Sequence, residues 1–216
     1  MRSVVALLLT LAASASARTY SLKVIAPGRQ TDGKTLHASG GGFFTGLKQP
    51  STYCPSNIKE MGGCPPEKGT LVVGEMQAMA VRSWASATLT WLYPSGLTPA
   101  QVQVPGGQRI YIAQDGAVSY TSAHSGSMGG DAIANGWYNK RTYFTSGTHV
   151  TVVGWKEPGS KKGEGGLLMC PVKIPGSPAK YKLYANRRGF NQKDCKAIRG
   201  IKLVENAAST GTWQYS

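Results

Sequence analysis

Apolar and polar residues alternate near the start of the chain. Tyr20, Leu22, Val24 and Ala26 are interleaved with Ser21, Lys23 and Ile25, the two-residue period of a half-buried strand. Further strand-like runs cover 70–73, 87–93, 109–113, 117–120, 149–155, 167–172, 181–185 and 201–204. Turn-forming residues punctuate them: Pro27-Gly28, Asp32-Gly33, Gly40-Gly41-Gly42, Pro105-Gly106-Gly107, Asp115-Gly116 and Asn135-Gly136. Asp-Gly and Asn-Gly readily supply the positive φ of a tight hairpin, so 109–121 reads as a hairpin turning at Asp115-Gly116. Glu75 to Ala85, rich in Met and Ala, is of marginal helical length and fits a pair of strands equally well. With 28 glycines and 12 prolines, long helices are not expected. The expected fold is all-β: a single compact disulfide-stapled domain, β-trefoil-like or barrel-like, with a β-sandwich as the alternative. Similar strand shapes at 43–47, 111–116 and 167–170 hint weakly at three related strands.

The first seventeen residues follow a different pattern. Arg2 precedes an apolar run from Val4 to Leu11, broken by Thr10, and Ala15-Ser16-Ala17 offers a small-residue cleavage site. That order is the signature of a secretory signal peptide. The run is shorter than the roughly 20 residues needed to cross a bilayer. The expected organisation is a signal peptide at 1–17 and a single β-rich extracellular domain at 18–216, with no transmembrane segment.

Export changes the reading of the four cysteines. Cys54, Cys64, Cys170 and Cys195 are an even set in a secreted chain, which predicts two disulfides. Of the three pairings, Cys54–Cys64 and Cys170–Cys195 are favoured, because each closes a short local loop. The spacings do not match the close C-x-x-C or Cys/His pairs of a zinc site, so neither a metal nor a thiolate nucleophile is expected.

Charge is the next bound. The chain carries 24 Lys plus Arg against 10 Asp plus Glu, a net +14. Twelve basic and three acidic residues fall between Lys156 and Lys202, placing +9 in that stretch alone. Such a field attracts polyanions. The candidate binding residues are Lys161, Lys162, Arg187, Arg188, Lys193, Lys196 and Arg199. The segment Pro158 to Gly166 reads as a flexible basic loop between strands.

Catalytic chemistry finds little purchase. A glycosidase needs two carboxylates about 5–10 Å apart on facing walls, and among the ten only Glu75 and Asp131 have apolar or aromatic neighbours in sequence. Glu60 and Glu67 flank the first cysteine pair, while Asp115, Glu157 and Glu164 fall in or beside turns. A ribonuclease-like set of His37, His124, Glu75 and Arg109 can be assembled on paper; His149 is the third histidine. Ser122-Ala123-His124-Ser125-Gly126 is not the G-x-S-x-G elbow of a hydrolase. Gly40-Gly41-Gly42 lacks the Lys and Ser/Thr of a phosphate loop. Trp84, Trp91, Trp137, Tyr138, Trp155 and Trp213 could contribute to a stacking platform, with 137–141 the most exposed stretch expected. No N-x-S/T acceptor occurs, so N-glycosylation is not expected.

An ordered series of short motifs remains. Ser39-Gly-Gly-Gly-Phe43, Tyr53-Cys-Pro-Ser-Asn57 and Gly63-Cys-Pro-Pro66 come first. Val104-Pro-Gly-Gly-Gln108, Ile110-Tyr-Ile112, Asp115-Gly-Ala-Val-Ser-Tyr-Thr121 and Ala123-His-Ser125 follow. Met169-Cys-Pro171, Tyr184-Ala-Asn186 and Thr212-Trp-Gln-Tyr215 close the series. Over most of 20–215 this order resembles the small secreted proteins of filamentous fungi described as IgE-binding or phiA-like cell wall proteins. The resemblance implies a secreted or wall-associated β-rich protein, linked in phialide-associated members to asexual development, with no catalytic residues to carry across.

The function expected from residues and resemblance together is non-enzymatic. The protein would associate with the fungal cell wall or extracellular matrix and bind anionic polymer through a basic face. Its partners would be wall or matrix polysaccharide, or a host surface component, with no cofactor and no nucleic acid. The alternatives are a secreted effector or allergen-like antigen acting on a host, and a secreted hydrolase, either a ribonuclease or a wall glycosidase.

Overall fold

The computed structural model describes residues 18–66, 69–74, 100–160, 165–172, 180–206 and 211–216. The first half of the chain supplies β1 (Arg18–Ile25), β2 (His37–Ser39), β3 (Gly42–Thr45), β4 (Thr52–Tyr53), a short helix α1 (Ser56–Glu60) and β5 (Leu71–Gly74). The remainder supplies β6 (Ile110–Ile112), β7 (Val118–Tyr120), β8 (Trp137–Tyr143), β9 (His149–Trp155), β10 (Leu167–Val172), β11 (Lys180–Ala185), β12 (Lys196–Ile198), β13 (Gly200–Asn206) and β14 (Gln214–Tyr215). One antiparallel sheet runs β5-β1-β13-β9-β8. A second runs β12-β10-β11-β3-β7-β6, with β2 added beside β3, and β14 pairs with β4 alone.

The alternation read in the first strand decides which side of the first sheet is covered. Tyr20, Leu22 and Val24 are buried, while Lys23 on the opposite phase is exposed. They meet Val72, Val153, Trp155 and Ile201 of the same sheet, and Ala38, Phe43, Ile112, Val118, Met169 and Leu183 of the other, in one apolar cluster. Two open sheets sharing one core correspond to the sandwich alternative. The expected all-β, compact, disulfide-stapled domain is present, and no closed barrel forms among the described residues; at the sheet ends Val72 of β5 bridges to Ala100 and Ile112 of β6 to Ile133. Of the three similar strand shapes, β3, β6 and β10 all lie in the second sheet rather than in three equivalent lobes.

The hairpin at Asp115-Gly116 forms as read. Ile110 to Ile112 pairs with Val118 to Tyr120, and the Ala117 amide donates to Asp115 Oδ1 at 2.9 Å. Gly116 has φ +86°, and a Cβ there would lie 2.7 Å from the Ala185 carbonyl oxygen. Only glycine meets both demands.

The chain near Tyr215 closes the core with polar contacts. Gln108, 1% exposed, donates through Nε2 to the Thr121 and Tyr215 carbonyls at 2.8 and 3.0 Å. Its Oε1 accepts the Tyr215 amide at 2.8 Å. The Tyr215 hydroxyl accepts the Leu71 amide at 2.8 Å and donates to the Gly69 carbonyl at 3.2 Å. The Tyr120 hydroxyl donates to a main-chain oxygen of Ser216 and accepts the Gly41 amide, each at 3.2 Å, and burial pushes its pKa up to about 12. A buried amide satisfied at both ends costs little, whereas its truncation leaves orphaned partners.

The short elements β2, β4, β12, β14 and α1 were not read from sequence, and neither was the longer β8. The readings at 1–17, 75–85 and 87–93 lie outside the described residues, as do Glu67, Glu75, Trp84, Trp91, Lys161, Lys162 and Glu164. Among the described residues no helix is long and apolar enough to cross a membrane.

Candidate functional site

The favoured disulfides are both present: Cys54–Cys64 encloses α1, and Cys170–Cys195 ties the segment before β12 to β10. No free cysteine remains. The second bridge organises the most basic part of the chain, where the candidate cations separate into two kinds.

Some are already engaged. Arg187 donates through Nη1 to the Ala113 carbonyl at 3.0 Å and the Asp131 carbonyl at 2.7 Å, bracing the β6–β7 hairpin against the following loop. Arg199 donates to the Tyr143 carbonyl and lies 5.8 Å from the Phe144 ring centroid. Lys182, not among the candidates, stands 5.8 Å from the Phe44 ring centroid and 5.4 Å from that of Tyr184. Its stem fills the space above Gly42, where a Cβ would lie 2.9 Å from Lys182 Cε. Arg188, Lys193 and Lys196 are exposed. The Arg188 amide donates to Glu157 Oε2 at 2.6 Å.

Cations from distant parts of the chain meet in two places. The first is the outer side of the five-stranded sheet. Lys23 of β1 is directly opposite Lys202 of β13, and both are exposed. On the next strand Ile201 pairs with Val153, which brings Val152 beside Lys202, and Val152 in turn pairs with Lys140 of β8. Three lysines therefore share one row across the strands, Lys23 and Lys202 adjacent and exposed, Lys140 half-buried and separated from them by the buried Val152. The exposed ring of Tyr138 borders the row, lying over Gly154, where a Cβ would be 2.9 Å from Tyr138 Cζ. Lys140 Nζ is 6.0 Å from that ring centroid.

The second place is a cleft of about 310 Å³ between the turn after β1 and the β10–β12 edge. Arg29 and Gln30 line one wall, Lys196 and Tyr181 the other, and Met169 and Thr31 are buried at its base. The turn is held from within: the Ala26 amide donates to Asp32 Oδ1 at 2.7 Å, and the Arg29 amide to the Ala26 carbonyl at 3.0 Å. Sequence reasoning passed over Lys23 and Arg29, and reached Lys140 only as part of the exposed stretch 137–141. Lys23 carried a usable signal, since it occupies the polar phase of β1. Arg29 carried none, because its partner Lys196 is distant in sequence.

The catalytic alternatives receive less support from placement. His37 sits on β2, half-buried, and burial holds its imidazole below the usual value. His124 lies in the loop after β7 with φ +58°, and His149 is exposed against Tyr143. No described carboxylate is buried, and no three His, Cys, Asp or Glu residues among the described ones could share a metal. Asp131 is exposed and engages Arg187 through its carbonyl. Trp137 and Trp155 belong to the core and not to a surface platform; of the stretch 137–141, it is the segment from Tyr138 onward that faces solvent.

Comparison with known proteins gives one informative relative. An uncharacterized secreted protein of Arthroderma benhamiae is 28% identical over 196 residues, spanning 88% of this chain and 82% of its own length. No protein-family model and no solved structure matches. The chain is a secreted protein. Leader-like sequence, two disulfides and a fungal relative agree on that, and they support the resemblance at its coarser level, a secreted fungal protein.

Proposed function

We propose that this protein acts outside the cell without catalysis, adhering to the anionic polymers of a cell wall or matrix through its exposed cations. The observation that carries this reading is the opposition of Lys23 and Lys202 on neighbouring strands of an exposed sheet face. Like charges facing each other across a strand pair are destabilising. A bound polyanion offsets that repulsion by attracting both ammonium groups, and Lys140 extends the row. The wall-associated role implied by the resemblance, including a part in conidium formation, places the polymer in the producer's own surface layer. The separate charge of the segment 156–202 adds a long-range field that speeds encounter.

A pull-down on isolated fungal walls at rising salt tests the proposal. Retention should weaken steeply as salt screens exposed charges, and Lys23→Ala with Lys202→Ala should release most of the protein at moderate salt. Retention indifferent to salt and to both substitutions would remove the electrostatic mechanism. Retention on host cell surfaces alone would transfer the same surface to a host-directed role.

A further inference from the structure

The lysine row supplies charge but no shape, since nothing on a sheet face selects one anion over another. The cleft at the disulfide-stapled edge supplies shape. Its volume of about 310 Å³ is at the small end of ligand sites, which run from about 300 to 1,000 Å³. That suits a single sugar residue more than a long segment of polymer.

Its polar groups are biased toward donors. Arg29 offers a planar guanidinium and Lys196 an ammonium. The Tyr181 hydroxyl donates to Gln30 Oε1 at 2.8 Å, so the amide oxygen is engaged and the remaining hydrogen-bonding capacity of that amide is its Nε2 donors. The Asp32 carboxylate lies in the same turn, but its Oδ1 accepts the Ala26 amide inside the turn. An acceptor-rich anion therefore matches this wall chemistry, and a neutral sugar does not. Guanidinium forks recognise carboxylates and phosphates by paired parallel hydrogen bonds. The half-buried ring of Tyr181 on the wall offers apolar surface for the carbon face of a pyranose.

The backbone of both walls is held before any ligand arrives. Internal hydrogen bonds fix the Arg29 turn. Lys196 follows Cys195 directly and pairs in register with Met169, next to Cys170. Preorganisation of this kind lowers the entropic cost of binding.

We infer that the cleft between Arg29 and Lys196 seats one acidic sugar residue, its carboxylate or phosphate group held between the two cations and Gln30. The inference rests on the adhesion reading above and specifies its ligand: the row holds polymer unspecifically, and the cleft selects an acidic sugar within it. Isothermal titration or NMR shift mapping of the full extracellular protein with trigalacturonate, mannose 6-phosphate and neutral maltotriose tests it. One or both acidic ligands should bind, and which one does identifies the anion; maltotriose should not. Arg29→Ala and Lys196→Ala, both at exposed positions, should each weaken the acidic ligand about tenfold, which corresponds to 1.4 kcal/mol. Lys23→Ala with Lys202→Ala should leave it unchanged. The inference is overturned if neither acidic ligand binds while wall polymer still does, if maltotriose binds equally, or if the cleft substitutions have no effect. Loss of wall retention in the wild-type protein would instead overturn the adhesion reading.

Discussion

Two groups of cations share one molecule and differ in what they are free to do. Arg187 and Arg199 point their guanidinium groups at backbone carbonyls and an aromatic ring, so their charge holds loops together. Lys23, Lys202, Lys196 and Arg29 project from a sheet face and a cleft wall. The first group stabilises the fold on which the second is displayed. A count of basic residues therefore overstates the charge available to a partner, and the distinction depends on whether a carbonyl lies within reach. Arginine's rigid fork suits the bracing role, and lysine's single hydrated charge suits the open face.

This division can be tested in order of effect. The largest change should come from the staple that holds the cleft edge. Replacing Cys170 and Cys195 together with Ser should lower unfolding free energy by about 2–4 kcal/mol in denaturant titration. The acidic-sugar affinity of the cleft should fall while retention on walls through the lysine row persists. Next comes Arg187→Ala. It orphans the Ala113 and Asp131 carbonyls and should cost about 2 kcal/mol, with the salt dependence of wall retention unchanged. If Arg187→Ala instead abolished retention without loss of stability, the bracing and binding groups would have to be exchanged.

A smaller effect of opposite sign is expected at the sheet face. Relieving the Lys23–Lys202 opposition with Lys202→Gln should raise stability by about 0.2–1 kcal/mol while reducing polymer retention. A substitution that stabilises the fold and weakens function would mark the row as kept for binding. The smallest effect concerns His37. Burial lowers its folded-state pKa below the unfolded value near 6.5, so the unfolded chain takes up a proton first as pH falls. Its contribution is present above that value and is lost as pH drops through the folded pKa. Thermal melts between pH 7 and pH 4 should show a shallower acid decline in His37→Gln than in the parent.

The long strands were legible because their patterns are locally consistent. Tyr20 to Val24 alternates, and 149–155 and 167–172 are apolar enough to be strands wherever they fall. The elements that escaped were short or polar. His37–Ser39 and Thr52–Tyr53 are strands because partners lie beside them, and Trp137–Tyr143 reads as surface because most of it is an exposed edge. The sheet count was also hidden, since the closing pair β1–β13 joins residues from opposite ends of the chain. Of the candidate site, the disulfides and the basic segment could be read directly. The row of Lys23, Lys202 and Lys140 depends on strand register, and the meeting of Arg29 with Lys196 depends on how the sheets pack. Neither is a property of any local stretch.

The polar lock around Gln108, Tyr120 and Tyr215 has a consequence in time. The strand Arg18–Ile25 finds one partner early, in Leu71–Gly74, but its other edge is filled only by Gly200–Asn206, and the Gln108 amide waits for Tyr215. Structures dominated by such distant pairings form slowly. A chain exported from its leading end thus completes these two contacts only after its trailing residues emerge. Stability then arrives late and together, on the far side of the membrane, where the two disulfides can form.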